Sequence, residues 1–197
     1  MTVKLPVTNM IEELLKYDTE LFLYLNTLGS EPWDEMWRII TEKWSSIPLY
    51  AFLLYLVYKN LGLKGTLIVM VCAALLITAT DQLANLFKHG LQRPRPCQVE
   101  SLKGSMRFVA DHCGSFGYFS AHAASSMAAA VFLGLLLKSY YRYLPFLLLF
   151  WAVLLGYSRI YLGVHYPLDV VTGMFFGSLL GWFVFEFQAF LQSKFNT

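Results

Sequence analysis

Residues 143–169 read YLPFLLLFWAVLLGYSRIYLGVHYPLD. The first part, through about residue 161, is an apolar run of the length that crosses a bilayer as a helix, roughly 20 residues. The second part sets Ser158, Arg159, His165 and Asp169 at the end of that run, just before another apolar run opens near residue 168. Ionisable groups beside hydrocarbon are costly unless they pair or serve a substrate, so this junction reads as a functional site at a membrane surface.

The rest of the chain has the same character. Of its 197 residues, 57% are hydrophobic, and the mean hydropathy of +0.51 is too high for an ordinary soluble domain. Five segments approach or reach spanning length, at about 46–59, 65–87, 119–138, 143–161 and 168–191. The predicted fold is an all-α polytopic membrane helix bundle of five to six transmembrane helices, occupying residues 46–197. The net charge of +2 includes no basic stripe, which argues against a nucleic-acid partner. No basic region leads promptly into an apolar core and a cleavage site, so the first span is expected to serve as its own targeting signal.

Residues 1–45 carry eight acids and four bases, with apolar residues at helical spacing. They are predicted to form amphipathic, interfacial helices. Asn9 and Glu12 resemble a capping box. Trp33, Trp37, Ile40 and Trp44 share a helical face opposite Asp34, Glu35, Arg38 and Glu42, which suits the headgroup layer. Two alternatives stay open: the tryptophans pack on the bundle, and residues 20–30 dip into the bilayer as a sixth, partial span.

Orientation follows from the short connections. Lys59 and Lys64, Lys138 and Arg142, and Lys194 lie in stretches without acids, which places them in the cytoplasm. The polar site then faces the periplasm or exterior of a bacterial-type inner (plasma) membrane. Cys97 and Cys113 lie on that side too. They form a disulfide if the loop meets an oxidising compartment and stay thiols otherwise. Cys72 lies within an apolar run as a packing residue. No short paired Cys/His spacing indicates a metal, and no cofactor is expected.

Span parity brings three further groups to the face of residues 158–169. Asp81, Asn85 and Lys88 form a polar stripe at the end of the second run, and Arg95 follows in a proline-stiffened loop, where its guanidinium can offer a donor fork to phosphate. Ser120 is a candidate helix N-cap with His122 beside it, and such a helix start suits an anion. His165 and Asp169 are four apart, so a helical turn lets the carboxylate orient one ring nitrogen and leave the other as a nucleophile. Gly173, Gly177 and Gly181 form a ladder expected to pack on the small residues after Ser120. For Arg93, Lys103 and Arg107 the favoured reading is contact with lipid headgroups or the positive-inside bias of membrane loops.

These blocks resemble the type 2 phosphatidic acid phosphatase superfamily of membrane lipid phosphatases. Lys88, six spacers, Arg95 and Pro96 match its first block, and Ser158, Arg159, His165 and Asp169 match its third without exception. The middle block, usually Pro-Ser-Gly-His, is here Phe119-Ser120-Ala121-His122, which keeps both functional side chains. Vanadium haloperoxidases share the signature but are soluble. The resemblance covers roughly residues 80–185. It implies a metal-independent lipid phosphatase acting through a phosphohistidine. His165 would attack phosphorus, Asp169 would orient it, and His122 would act as acid and then base. Lys88, Arg95, Arg159 and Ser120 would bind the phosphate.

The expected partners are therefore a membrane lipid phosphate and the bilayer. The outward-facing site puts undecaprenyl diphosphate first, with lipid A, phosphatidylglycerol phosphate and phosphatidic acid as alternatives. A non-catalytic lipid-phosphate binder or transporter is disfavoured, because both histidines and Asp169 are present. The sequence does not specify an oligomeric state.

Overall fold

A computed structural model describes residues 6–42 and 44–194. Its described residues form α1 (Pro6–Thr27), α2 (Glu31–Thr41), α3 (Ile47–Leu91), α4 (Ala121–Leu137), α5 (Leu144–Tyr161) and α6 (Pro167–Lys194). β-Pairing among them is limited to an isolated bridge between Pro94 and Phe116.

The α3 helix is broken at Gly62, where φ is 66° and ψ is −174°. As one rod, Tyr50 and Ile77 would stand about 40 Å apart at 1.5 Å per residue. Both instead line the same cavities. Leu53, Leu56 and Val57 also share a buried cluster with Val69, Cys72 and Leu76. Gly62 therefore folds the chain back, in a left-handed conformation that only glycine adopts at little cost. The two arms of α3 are the predicted runs 46–59 and 65–87, while α4, α5 and α6 follow the other three closely.

The stretches Trp44–Leu91, Leu144–Tyr161 and Pro167–Lys194 are long and apolar enough to cross a membrane, and α4 is a shorter apolar helix. Their outer faces carry exposed Phe146, Leu147 and Phe150 on α5 and Phe175, Trp182 and Phe183 on α6. In water such a surface drives association, but in lipid it is the solvated face. The molecule is an all-α membrane helix bundle.

Close packing of α4 against α6 comes from the predicted glycine ladder. A Cβ on Gly173, Gly177 or Gly181 would run into the backbone carbonyl oxygen of Ser120, Ala124 or Ala128 respectively. Bare backbone lets the helices approach until Ala123 and Ala124 are fully buried.

At one end of the bundle, α1 and α2 pack over the loops. Asn26 is fully buried. Its amide donates to the carbonyls of Arg107, Ile160 and Tyr161 at 2.9–3.1 Å, and its oxygen accepts from Arg107 N–H at 2.7 Å. Trp37 lies against Tyr157 and Tyr161, with ring centroids 5.0 and 5.2 Å away. The alternative of packing on the bundle therefore holds for Trp37, whereas Trp33 and Trp44 are exposed.

Two local expectations are corrected. Asn9 does not cap α1, because it lies inside the helix, which among the described residues already runs from Pro6. Nor does Arg107 meet lipid headgroups, because it pairs with the charged face of α2. Asp34 accepts two hydrogen bonds from Arg107 at 2.8 and 2.9 Å, and Arg38 Nε donates to Val109 O at 2.9 Å. The Asp34 carboxyl is partly desolvated, but hydrogen bonds from Tyr161 and Arg107 hold it below the usual carboxylate range.

Candidate active site

The second arm of α3 delivers Lys88 to the end of the bundle. Gln92 then terminates the helix in a left-handed conformation, with its N–H on Lys88 O at 3.0 Å. In the loop that follows, Arg95 N–H donates to Ser115 O at 3.3 Å and Gly117 N–H to Arg93 O at 2.9 Å. Cys97 and Cys113 are paired as a disulfide across this loop, which resolves the open alternative in favour of the bridge. Arg95 Nε donates to Phe116 O at 3.0 Å, fixing the guanidinium from behind. Burial pulls its pKa below the usual arginine value, and the charge of Asp169 opposes that shift.

Ser120 caps α4, its hydroxyl accepting from Ala123 N–H at 3.4 Å. The next turn places His122 on a cavity wall. Arg159 sits in the last turn of α5 and donates to the Thr41 hydroxyl. Its Nε is buried with no hydrogen-bond partner. An orphaned guanidinium donor is costly, and an anion would relieve that cost.

Between α5 and α6 the chain turns at Gly163, with φ 78°, and presents His165. Pro167 opens α6, and Asp169 Oδ2 reaches back to Tyr166 N–H at 3.0 Å, the reciprocal half of a capping box. The same oxygen lies 3.4 Å from His165 Nδ1. Nε2 is therefore the ring nitrogen left for a substrate. His165 is 2% exposed, and burial lowers its pKa to about 4 despite the hydrogen bond it donates to Asp169. The imidazole is neutral, as a nucleophile requires.

Lys88, Arg95, His122, Arg159 and His165 line one cavity of about 620 Å³. The other two predicted residues stand behind its wall. Asp169 is fully buried beneath His165, and Ser120 is fully buried at the α4 cap, where its N–H donates to Asp169 O at 3.0 Å. Ser158, a signature residue, bonds back to Leu155 O at 2.7 Å within its own helix. The arrangement combines cationic donors for an anion, a buried neutral imidazole with a fixed tautomer, and a second histidine.

A family model described as the PAP2 superfamily matches residues 64–193. The chain belongs to the PAP2 superfamily. A lipid A 4′-phosphatase of Bacteroides thetaiotaomicron is 38% identical over 176 residues, covering 88% of this chain and 77% of the relative. A lipid A 4′-phosphatase of Porphyromonas gingivalis is 28% identical over 190 residues, covering 93% of this chain and 78% of the relative. The crystal structure of a transmembrane PAP2-type phosphatidylglycerolphosphate phosphatase from Bacillus subtilis superposes with a TM-score of 0.71 at 20% identity, covering 90% of this chain and 87% of that one. That likeness speaks for a shared PAP2 fold.

Three residues escaped the sequence reading. Arg93 does not face lipid headgroups: its guanidinium bonds to Asp169 Oδ1 at 2.8 Å and to Asp18 Oδ2 at 2.6 Å. Asp18 comes from α1, in a segment read only as amphipathic. Thr41 touches Arg159 from α2. Lys103, by contrast, pairs with exposed Glu100. A second arginine two positions before the motif arginine was the available signal for Arg93. Nothing in the sequence distinguished Asp18 from its acidic neighbours.

Proposed function

We propose that this protein is a metal-independent membrane lipid phosphatase that removes a phosphate monoester from a lipid A-type headgroup through a phosphohistidine. The reading is carried by the convergence of Lys88, Arg95, Arg159 and His122 on a cavity where Asp169 leaves only His165 Nε2 available. The Nε2 lone pair forms the N–P bond as the bond from phosphorus to the leaving oxygen breaks. His122 gives that oxygen a proton. His122 then takes a proton from water, whose oxygen forms a new P–O bond as the N–P bond breaks and phosphate leaves. Lys88, Arg95 and Arg159 compensate the charge on the phosphoryl oxygens, and Ser120 keeps the α4 N-terminus directed at the site. Three fixed cations already supply the role a divalent ion would take, and they would repel one.

Lipid A now ranks before undecaprenyl diphosphate. The earlier preference rested on orientation, whereas the 38% identical relative spans most of the chain. An apolar branch of about 280 Å³, lined by Ala73, Leu76, Phe132 and Leu133, shares Tyr50, Ile77 and Ser125 with the main cavity and supports a tailed substrate. The site is proposed to face the periplasm from the inner membrane, with residues 1–45 at the interface.

The test is phosphate release by purified protein in EDTA, with lipid A, undecaprenyl diphosphate, phosphatidylglycerol phosphate and phosphatidic acid offered in parallel. Fastest turnover on lipid A is expected, together with inhibition by vanadate and complete loss in His165→Asn. Turnover by a folded His165→Asn variant overturns the nucleophile assignment. Activity that EDTA removes and a divalent ion restores overturns metal independence.

A further inference from the structure

A fully buried carboxylate has two oxygens, and both must be satisfied. In Asp169, Oδ2 serves His165 and the Tyr166 N–H, while Oδ1 is taken by Arg93 Nη1 at 2.8 Å. Arg93 is itself held on three sides. Nη2 donates to Asp18 Oδ2 at 2.6 Å, the guanidinium carbon lies 4.1 Å from the Tyr166 ring centroid, and the Arg93 carbonyl accepts from Gly117 N–H. Asp18 uses its other oxygen to accept the Leu168 N–H at 2.8 Å, one of the free donors in the first turn of α6. The side chains of Asp18 and Arg93 are 4% and 16% exposed, so the pair is shielded from bulk water.

We propose that Asp18 and Arg93 are positioning residues for the nucleophile, forming with Asp169 a row of alternating charges that reaches from α1 to the His165 imidazole. This rests on the phosphohistidine reading of the site. Arg93 fixes the plane of the Asp169 carboxylate so that Oδ2 stays on Nδ1. Alone, its positive charge would weaken the support Asp169 gives to the imidazole, which becomes cationic when Nε2 bonds phosphorus. Asp18 offsets that charge and ties Arg93 to the first turn of α6. Its segment lies outside residues 64–193, the part matched by the family model. The N-terminal helix thereby takes part in catalysis without touching substrate.

The phosphate-binding cations do not belong to this chain of contacts, so its loss should act on kcat rather than on KM. In the full-length protein, Arg93→Gln should lower kcat about 100-fold and Asp18→Asn about tenfold, both with KM within about twofold of wild type. Arg93→Lys should recover part of the loss, since it keeps the charge without the fork. Rapid-quench measurement should show slower formation of the acid-labile phosphoenzyme. Combining Arg93→Gln with Asp169→Asn should cost little more than Asp169→Asn alone, the signature of residues acting through one another. Should Arg93→Gln fail to fold, Asp18→Asn and Arg93→Lys carry the same kcat test. Wild-type kcat in folded variants, or additive losses in the double variant, overturns the proposal. His165→Asn in the same series separates the two readings: if it is inactive while Arg93→Gln turns over normally, the positioning role alone fails.

Discussion

At the scale of single residues, burial decides what each titratable group does. His165 is held neutral by burial, with its pKa near 4, and is surrounded by Asp169, Arg95 and Arg159. An unfolded chain protonates this histidine below about 6.5, whereas the folded one resists until about 4. The group's contribution to stability is therefore complete above pH 6.5 and is lost as pH falls toward 4, by on the order of 3 kcal/mol. Thermal melts in detergent between pH 7.5 and 4 should show a steeper loss for wild type than for His165→Asn. Parallel curves would mean that the imidazole titrates normally. The sequence revealed which residues meet, because Lys88, Arg95, His122, Arg159, His165 and Asp169 lie at helix ends, or in the loops beside them, of matching parity. It did not reveal Arg93, since its partners lie 75 and 76 residues away and such pairing leaves no local pattern.

At the scale of elements, periodicity and length were legible, but the cause of each boundary was less so. The apolar runs gave the α3 arms and α4 to α6. Gly62 appeared only as an ordinary residue between two runs, although it reverses α3. The capping pattern at Asn9 failed because local chemistry offers several possible helix starts and only one is used. The glycine ladder could be read in advance because it makes a packing demand: three bare positions on one face need a backbone to approach. Gly177 tests that demand, since an added Cβ meets the carbonyl oxygen, carbonyl carbon and Cα of Ala124, none of which can rotate away. Gly177→Val should cost about 3 kcal/mol or more, lowering the melting temperature, and should lower turnover by displacing α4 and His122. Gly104→Ala, where an added Cβ meets nothing within 4 Å, is the control. Equal stability of the two variants would refute the proposed tight contact of α4 with α6.

At the scale of the whole molecule, the polar groups gather at one end of an apolar bundle, where α1, α2 and the 92–120 loop enclose them. Asn26, Asp34 and Asp18 each join this N-terminal cap to the loop or to the ends of α5 and α6. The composition of residues 1–45 indicated a surface segment, but not that its acids would bind inward, because an amphipathic pattern does not say which medium the polar face meets. The remaining question is which side of the membrane this end occupies. Lysine and arginine in the opposite connections are the ground for proposing that it lies outside the cytoplasm. Cys97 and Cys113 provide the probe, since they lie in the loop of this end, while Cys72 is buried in the bundle. Spheroplasts should first be treated with a membrane-impermeant reductant and then with an impermeant maleimide. Labelling of Cys97 or Cys113 without permeabilisation is the expected result, with Cys97→Ser/Cys113→Ser as the blank. Labelling that requires permeabilisation would place this end in the cytoplasm and remove the argument that the proposed substrate is met on the outer leaflet.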